Sequence, residues 1–531
     1  MILTSFLLLL IQGPVAKAGL LAKTESMTPG FVLVAPLKSK STFLVDKESG
    51  RVAHTWDSNR PPGNSVYLLE NGDLWRTTAV GDNEVFRGGG AGGGLQRIAW
   101  DGTLLWELDW SDDVRLSHHD MEPLPNGNLL LISWEYKSPE EAFEAGRDPA
   151  GISEDGLWPD YVVELKPILG EGAGAVEKVW EWHAWDHLIQ ERVETKANFG
   201  SIADSPGRID LNADLISQSA VEISREKELE EEMEGLGYIG DDGVDESEEG
   251  PAEKGIPAPG NPRERKPGGD WLHTNGVDYD PARDLIVLSS RVMSEVWIID
   301  HSTTTKQAAS GSGGRFGKGG DILWRWGNPR NYGAGDLGDQ KLFKQHDPSF
   351  IGLGSPGAGN LLIYNNGEGR PDGNYSTVIE LALPLNEGGN EFPRFRDDFG
   401  PMEPVWSSGA PKGSDELFFF SSFLSGAQRL PSGNTLICVG AAGRVLEVTP
   451  AGELAWEYVC PFKGLIPSAE DKRPGQRPAP GSHPGPPGGG PPRRGPGEEG
   501  GPPGGRPKVE LENALFRATH LEPDHPGLSK L

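Results

Sequence analysis

The chain has 531 residues and a formal net charge of −30, from 49 Lys and Arg against 79 Asp and Glu. A surface this acidic repels phosphate, so broad binding of nucleic acid or of an anionic membrane is not expected. Its 74 Gly and 45 Pro exclude a helical bundle, its 16 Trp and 18 Phe need a core to bury them, and two cysteines cannot build a disulfide framework or a four-cysteine zinc site.

The chain starts with an apolar run, ILTSFLLLLI, over residues 2–11, followed by a small-x-small phrase at Ala16-Lys17-Ala18. That run is too short to span a bilayer, so residues 1–18 read as a cleaved secretory signal and the protein as periplasmic or secreted. No Lys or Arg precedes Lys17, and a buried N-terminal strand is the competing reading. No later stretch has the length and apolarity of a membrane helix.

From residue 19 to 531 the chain reads as a single domain built on one repeated phrase. Short apolar strands alternate with tight turns such as Asn71-Gly72, Pro125-Asn126-Gly127 and Pro431-Ser432-Gly433, where Asn and Gly accept the positive φ of hairpin turns. Each phrase ends in a strand bearing Trp: Trp56, Trp106, Trp180 with Trp182, Trp324 with Trp326, Trp406, and Trp456. Six four-stranded units in series predict an all-β fold, a six-bladed β-propeller. Repeated two-sheet sandwiches are the alternative.

Two segments interrupt the phrase. An acidic insertion occupies about 200–268; its residues 221–250 hold thirteen acidic and two basic residues, with a short charged helix expected over Glu222 to Glu234. A Pro/Gly-rich loop occupies about 468–508, with twelve Pro and twelve Gly between 474 and 507, a composition that predicts disorder. The chain turns apolar again from Val509 to Leu521. Gly88 to Gly94 reads as an ordinary blade loop, and Gly317-Lys318 lacks the residues of a phosphate loop. Cys438 and Cys460 fall on the first and third of three consecutive strands, about 10 Å apart, beyond disulfide reach.

Polar and cationic residues break the blade pattern at four places: Ser117-His118-His119-Asp120, Asp270 to Asn275 with His273, Ser289-Ser290-Arg291, and Lys344-Gln345-His346-Asp347. His119, His273 and His346 each open the first strand of a different blade, and first strands line a propeller's central channel. Each histidine alone could merely satisfy a buried backbone group. Three at equivalent positions converge on one axis. A zinc or copper site is conceivable from such imidazoles, but Arg291 is an unsuitable neighbour for a divalent cation. Its planar fork suits paired oxygens, so the group looks built for a sulfate or phosphate ester.

The phrases SHHDMEPLPNGNLLL, VWEWHAWDHLIQ, DWLHTNGVDYDPARDLIVLSSR, WIIDHSTTT, GGDILWRWGNPRNY, LFKQHDPSF and GAGNLLIYNNG together resemble the bacterial arylsulfotransferases over about 90–380. The resemblance implies transfer of a sulfuryl group from a phenolic sulfate to a phenol in the periplasm, with no nucleotide sulfate and no cofactor. It implies that His346 is the transiently sulfated nucleophile and that His273 and Arg291 hold the sulfuryl oxygens. One of His118 and His119 matches the remaining histidine, with His119 preferred; His118 and Asn275 are expected to contact substrate. The expected partners are the donor and acceptor phenols, with pairing as a homodimer also open. A ligand-binding propeller without turnover and a metal-dependent sulfate ester hydrolase remain as alternatives.

Overall fold

A computed structural model describes residues 18–170, 174–216, 268–395, 397–462 and 513–531, and it has the six-bladed propeller architecture. From the channel outward, blade 1 is Leu515–Leu521, Phe31–Pro36, Ser41–Asp46 and Val52–Asp57; blade 2 is Pro62–Leu68, Leu74–Ala79, Gly93–Ile98 and Leu104–Asp109. Blade 3 is Arg115–Pro123, Leu129–Glu135, Asp160–Pro167 and Val176–His183; blade 4 is Thr274–Asp280, Leu285–Ser290, Glu295–Asp300 and Trp324–Trp326. Blade 5 is His346–Phe350, Leu361–Asn365, Thr377–Leu381 and Trp406–Ser408; blade 6 is Gly426–Arg429, Thr435–Val439, Arg444–Val448 and Leu454–Val459. The inner strands touch one another in ring order.

All six Trp-bearing phrases are the outermost of the four repeating strands. The indoles explain why the phrase recurs. Each blade's flat faces need large aromatic groups between them, and the indole N–H groups reach carbonyls outside their own sheet: Trp182 to Gly320 at 2.7 Å, Trp324 to Gly400 at 2.7 Å, Trp456 to Lys47 at 3.0 Å. Second and third strands are buried on both faces, and the cores lie between blades. Leu130, Ile132, Trp180 and Trp182 of blade 3 pack on Ile286, Leu288 and Trp297 of blade 4.

Both ends of the chain stitch the ring shut. Leu515–Leu521 pairs antiparallel with Phe31–Pro36, so the last strand is the inner strand of the first blade. Gly19–Lys23 pairs with Leu454–Val459 as a fifth, outer strand of blade 6. Across that seam the fully buried Lys47 and Glu447 form an ion pair, and Glu447 also accepts from Thr28 and Asn434. Between blades 3 and 4, His301 is held by Glu164 and Asp284.

Residues 200–216, counted with the acidic insertion on sequence, carry packed structure. Ile209–Asp210 pairs with Leu188–Ile189, and Ile209, Leu211 and Ala213 join the core of blades 3 and 4. All but the last residue of the expected leader 1–18, the acidic run 221–250 with its expected helix, and the Pro/Gly run 474–507 lie outside the described residues. Cys438 and Cys460 are buried free thiols. Among the described residues no helix is long and apolar enough to cross a membrane.

Candidate active site

The inner strands of blades 3, 4 and 5 share a defect. Their pairing with the second strand slips between Ser117 and Met121, between Thr274 and Gly276, and between His346 and Ser349. Three residues at or beside these slips have left-handed backbone: His119 (φ +53°), His273 (φ +50°) and Asp347 (φ +51°). Such conformations cost on the order of 1–3 kcal/mol each in a non-glycine residue and persist only where the surroundings enforce them. Here they re-aim side chains that a regular strand would send to alternating faces.

The His119 and His273 rings meet edge to face, 4.6 Å between centroids. Nδ1 of His273 lies 2.5 Å from Oδ2 of Asp270, whose other oxygen accepts the Trp134 indole N–H at 3.1 Å. Burial pushes the Asp270 carboxyl up, but His273 foremost, with His118 and Trp134, holds it below its ordinary value.

His346 sits at the start of its strand. Nδ1 contacts Asn366 Oδ1 at 2.8 Å. The Asn366 amide nitrogen donates to the carbonyls of Ser421 and Leu424, so the oxygen faces the imidazole and Nδ1 of His346 carries the proton. Nε2 keeps the lone pair and accepts the Leu424 backbone N–H at 3.2 Å. Burial depresses the His346 pKa well below the ordinary value, and Arg291 adds to this while Asn366 opposes it. His119 is depressed likewise, by burial and then by His273, His118, His346 and Arg291. Both rings are therefore neutral at pH 7.

Arg291 follows directly on the second strand of blade 4, its backbone N–H bonded to the His273 carbonyl at 3.1 Å. It is 6% exposed, and its Nε and Nη2 have no partner among the described residues. A buried guanidinium with unspent donors is costly unless an anion completes it. The structure thus groups the four: His273, His346 and Arg291 all act on His119, and Arg291 and His273 act on His346.

The other two sequence candidates sit differently. His118 turns away from His273: its ring stacks on Trp134 at 4.0 Å, and its Nε2 is 2.8 Å from Asp160 Oδ1, at contact distance but out of line for a hydrogen bond. Asn275 spends its amide nitrogen on the Gln345 carbonyl at 2.8 Å, leaving a buried Oδ1 without a partner among the described residues.

Several neighbours had no signal of their own in the sequence. Gly90 accepts the His119 N–H at 2.8 Å, and a Cβ on Gly90 would overlap the His119 ring. The glycine-rich stretch is the blade loop expected, joining the second and third strands of blade 2, and its Gly90 also packs against the candidate site. Asp270 and Asn366 lie inside the phrases DWLHTN and YNNG, but nothing local marks them as partners of histidines. On the far side of the histidine layer, Arg517 of the closing strand pairs with Asp120 and Asp347 and donates to the Tyr67 hydroxyl at 2.6 Å. A cavity of about 450 Å³ follows there, lined by Glu122, Asp278, Asp347 and Arg517 among others. Burial, with Asp347 nearby, raises Asp278 to about 7.

A family model described as Arylsulfotransferase (ASST) matches residues 23–453. The chain belongs to the arylsulfotransferase family. The match takes in at least three strands of every blade and all four clustered side chains, but ends before the outer strand of blade 6 and the closing strand that carries Arg517. Arylsulfotransferase activity on small aromatic substrates goes with that membership. No curated protein matches the chain. Among solved structures it is similar to a Bacteroides caccae protein of unknown function (10% identity, 81% of this chain and 93% of that chain covered, TM-score 0.37). It is also similar to a periplasmic gluconolactonase of Pseudomonas aeruginosa (11%, 82% and 84%, TM-score 0.36) and a virginiamycin B lyase of Staphylococcus aureus (8%, 84% and 90%, TM-score 0.33). These likenesses are too distant to bear on what this arylsulfotransferase does.

Proposed function

We propose that this arylsulfotransferase moves a sulfuryl group from a phenolic sulfate ester to a phenol through a sulfated His346, with no nucleotide sulfate and no cofactor. One observation carries the reading: a buried guanidinium with unspent donors, Arg291, grouped with a neutral imidazole whose Nδ1 is pinned and whose Nε2 holds a lone pair. The Nε2 lone pair attacks sulfur, the ester S–O bond breaks, and the phenolate leaves with a proton. The acceptor phenol then gives up its proton and takes the sulfuryl group from Nε2. Sulfuryl transfer, like phosphoryl transfer, spreads charge over three equatorial oxygens, which Arg291 and His273 are suited to hold. To approach sulfur, Nε2 gives up only the weak bond from Leu424. The leader-like residues 1–18 support action in the periplasm or outside the cell.

The test is incubation with a chromogenic aryl sulfate, with and without phenol and with and without chelator. Expected are turnover that needs phenol and survives chelation, ping-pong kinetics, and a sulfuryl group on His346 after exposure to donor alone. Normal turnover by His346→Ala, or a sequential mechanism, overturns the reading. Phenol-independent release lost on chelation would point to a hydrolase, and no turnover to a binding propeller.

A further inference from the structure

We propose that Asp160 and His118 form a proton relay behind His119, so that His119 exchanges the proton with the phenols while His273 serves the sulfuryl oxygens; this rests on the sulfuryl-transfer reading of the site. Neighbouring residues of a strand normally point to opposite faces. The slipped register and left-handed backbone of His119 instead bring Nδ1 of His118 and Nδ1 of His119 within 2.8 Å, with the rings 83° apart. Two ring nitrogens at that distance share one proton.

Asp160 decides which ring owns it. Its Oδ1 is 2.8 Å from Nε2 of His118, and its Oδ2 accepts the Thr274 N–H at 2.8 Å, which anchors the carboxylate to blade 4. A carboxylate there keeps a proton on His118 Nε2, and a slight turn of either group brings the two in line. Nδ1 of His118 then holds a lone pair, so the shared proton sits on His119 Nδ1. Nε2 of His119 is left as its basic nitrogen. Asp160, His118 and His119 are each 2% exposed, and Trp134 covers the His118 ring, so water does not intervene.

The need for a relay follows from the charges around His119. Arg291 acts on it electrostatically, so a proton held there meets like charge. His118 faces Asp160 and Asp270 instead. When His119 Nε2 takes the hydroxyl proton of the acceptor, its Nδ1 proton crosses to His118 Nδ1 and the His118 Nε2 proton crosses to Asp160. One proton has entered and one is held on the carboxylate, and no extra charge stays beside Arg291. The free enzyme therefore starts each cycle with that proton on Asp160; in the donor half-reaction the leaving phenolate takes the Nε2 proton of His119, both steps reverse, and the sulfated enzyme is left with the Asp160 carboxylate and the basic His119 Nε2. His273 is held apart from this relay by a carboxylate of its own, Asp270, on its Nδ1.

The experiment measures the burst of phenol released in the first half-reaction from two donors, in wild type, His118→Gln and Asp160→Asn. Asp160→Asn retains an oxygen for the Thr274 N–H. The leaving group of phenyl sulfate needs the proton; that of 4-nitrophenyl sulfate hardly does. Expected is a fall of about 10²-fold or more with phenyl sulfate and less than about tenfold with 4-nitrophenyl sulfate, in both variants. An equal fall with both donors, or none with either, overturns the relay. Failure of wild type to become sulfated on His346 would strike the sulfuryl-transfer reading instead.

Discussion

Asp120 and Asp347 grip the same guanidinium. Each follows a site histidine in the chain, and Arg517 pairs with both, at 3.0 Å to Asp347. Tyr67 ties in by donating to Asp120 at 3.1 Å. The inner strands of blades 3 and 5 are thereby held together through the inner strand of blade 1. Removing the cation leaves the buried Asp120 carboxylate facing the part-buried Asp347, which costs up to about 3–5 kcal/mol. Arg517→Met is therefore expected to lower the melting temperature and kcat together. Adding Asp120→Asn should restore part of both, as thermal unfolding and steady-state turnover will show.

Arg291 has the opposite balance. Its unspent buried donors burden the unliganded fold and serve only a bound anion. Arg291→Met should raise the melting temperature while cutting kcat by about 10²–10³-fold, the usual cost of losing one oxyanion donor. Arg291→Lys should recover little, because a point charge does not replace a fork. A variant that loses stability and activity in parallel would mean the guanidinium has a structural partner.

Gly90 tests the wall of the site. Gly90 (φ +78°) would drive a Cβ into the His119 ring, whereas Gly102 (φ +86°) has open space around the same atom. Both substitutions to Ala carry a similar backbone cost, about 1 kcal/mol. Gly90→Ala should lose at least tenfold in kcat and Gly102→Ala almost nothing, measured at equal folded fraction.

His301 predicts an alkaline limit to stability. Burial disfavours its charge, but hydrogen bonds to Asp284 and Glu164 outweigh this and raise its pKa to about 9. The unfolded value is near 6.5. The clasp between blades 3 and 4 is at full strength below pH about 6.5 and is lost as pH rises through 9, a change of about 3 kcal/mol. Denaturant titrations between pH 6 and 10 should show that loss, and His301→Gln should flatten it.

The blades were legible because turn and Trp signals are local: Pro431-Ser432-Gly433 and Trp456 mark a hairpin and an outer strand without reference to anything distant. The strand Leu515–Leu521 was not, because its partner Phe31–Pro36 lies at the other end of the chain and an apolar run does not say which sheet it joins. Likewise His119, His273, His346 and Arg291 stood out as polar breaks in apolar strands. Asp160 and Asn366 did not, since each matters only through a contact made across a blade or loop; Asp270, three residues before His273, lay inside a polar break without being marked as its partner. The choice between His118 and His119 turned on a register slip that alternation cannot foresee.

The closing strand brings Arg517 to Asp120 and Asp347 and Phe516 to the His119 ring. A chain cut before residue 513 would hold every clustered histidine and still lack the clamp that braces them. Because the strand docks by hydrogen bonding and packing, a separate peptide spanning residues 513–531 should switch on a truncated chain in trans, making the ring a ready-made complementation reporter.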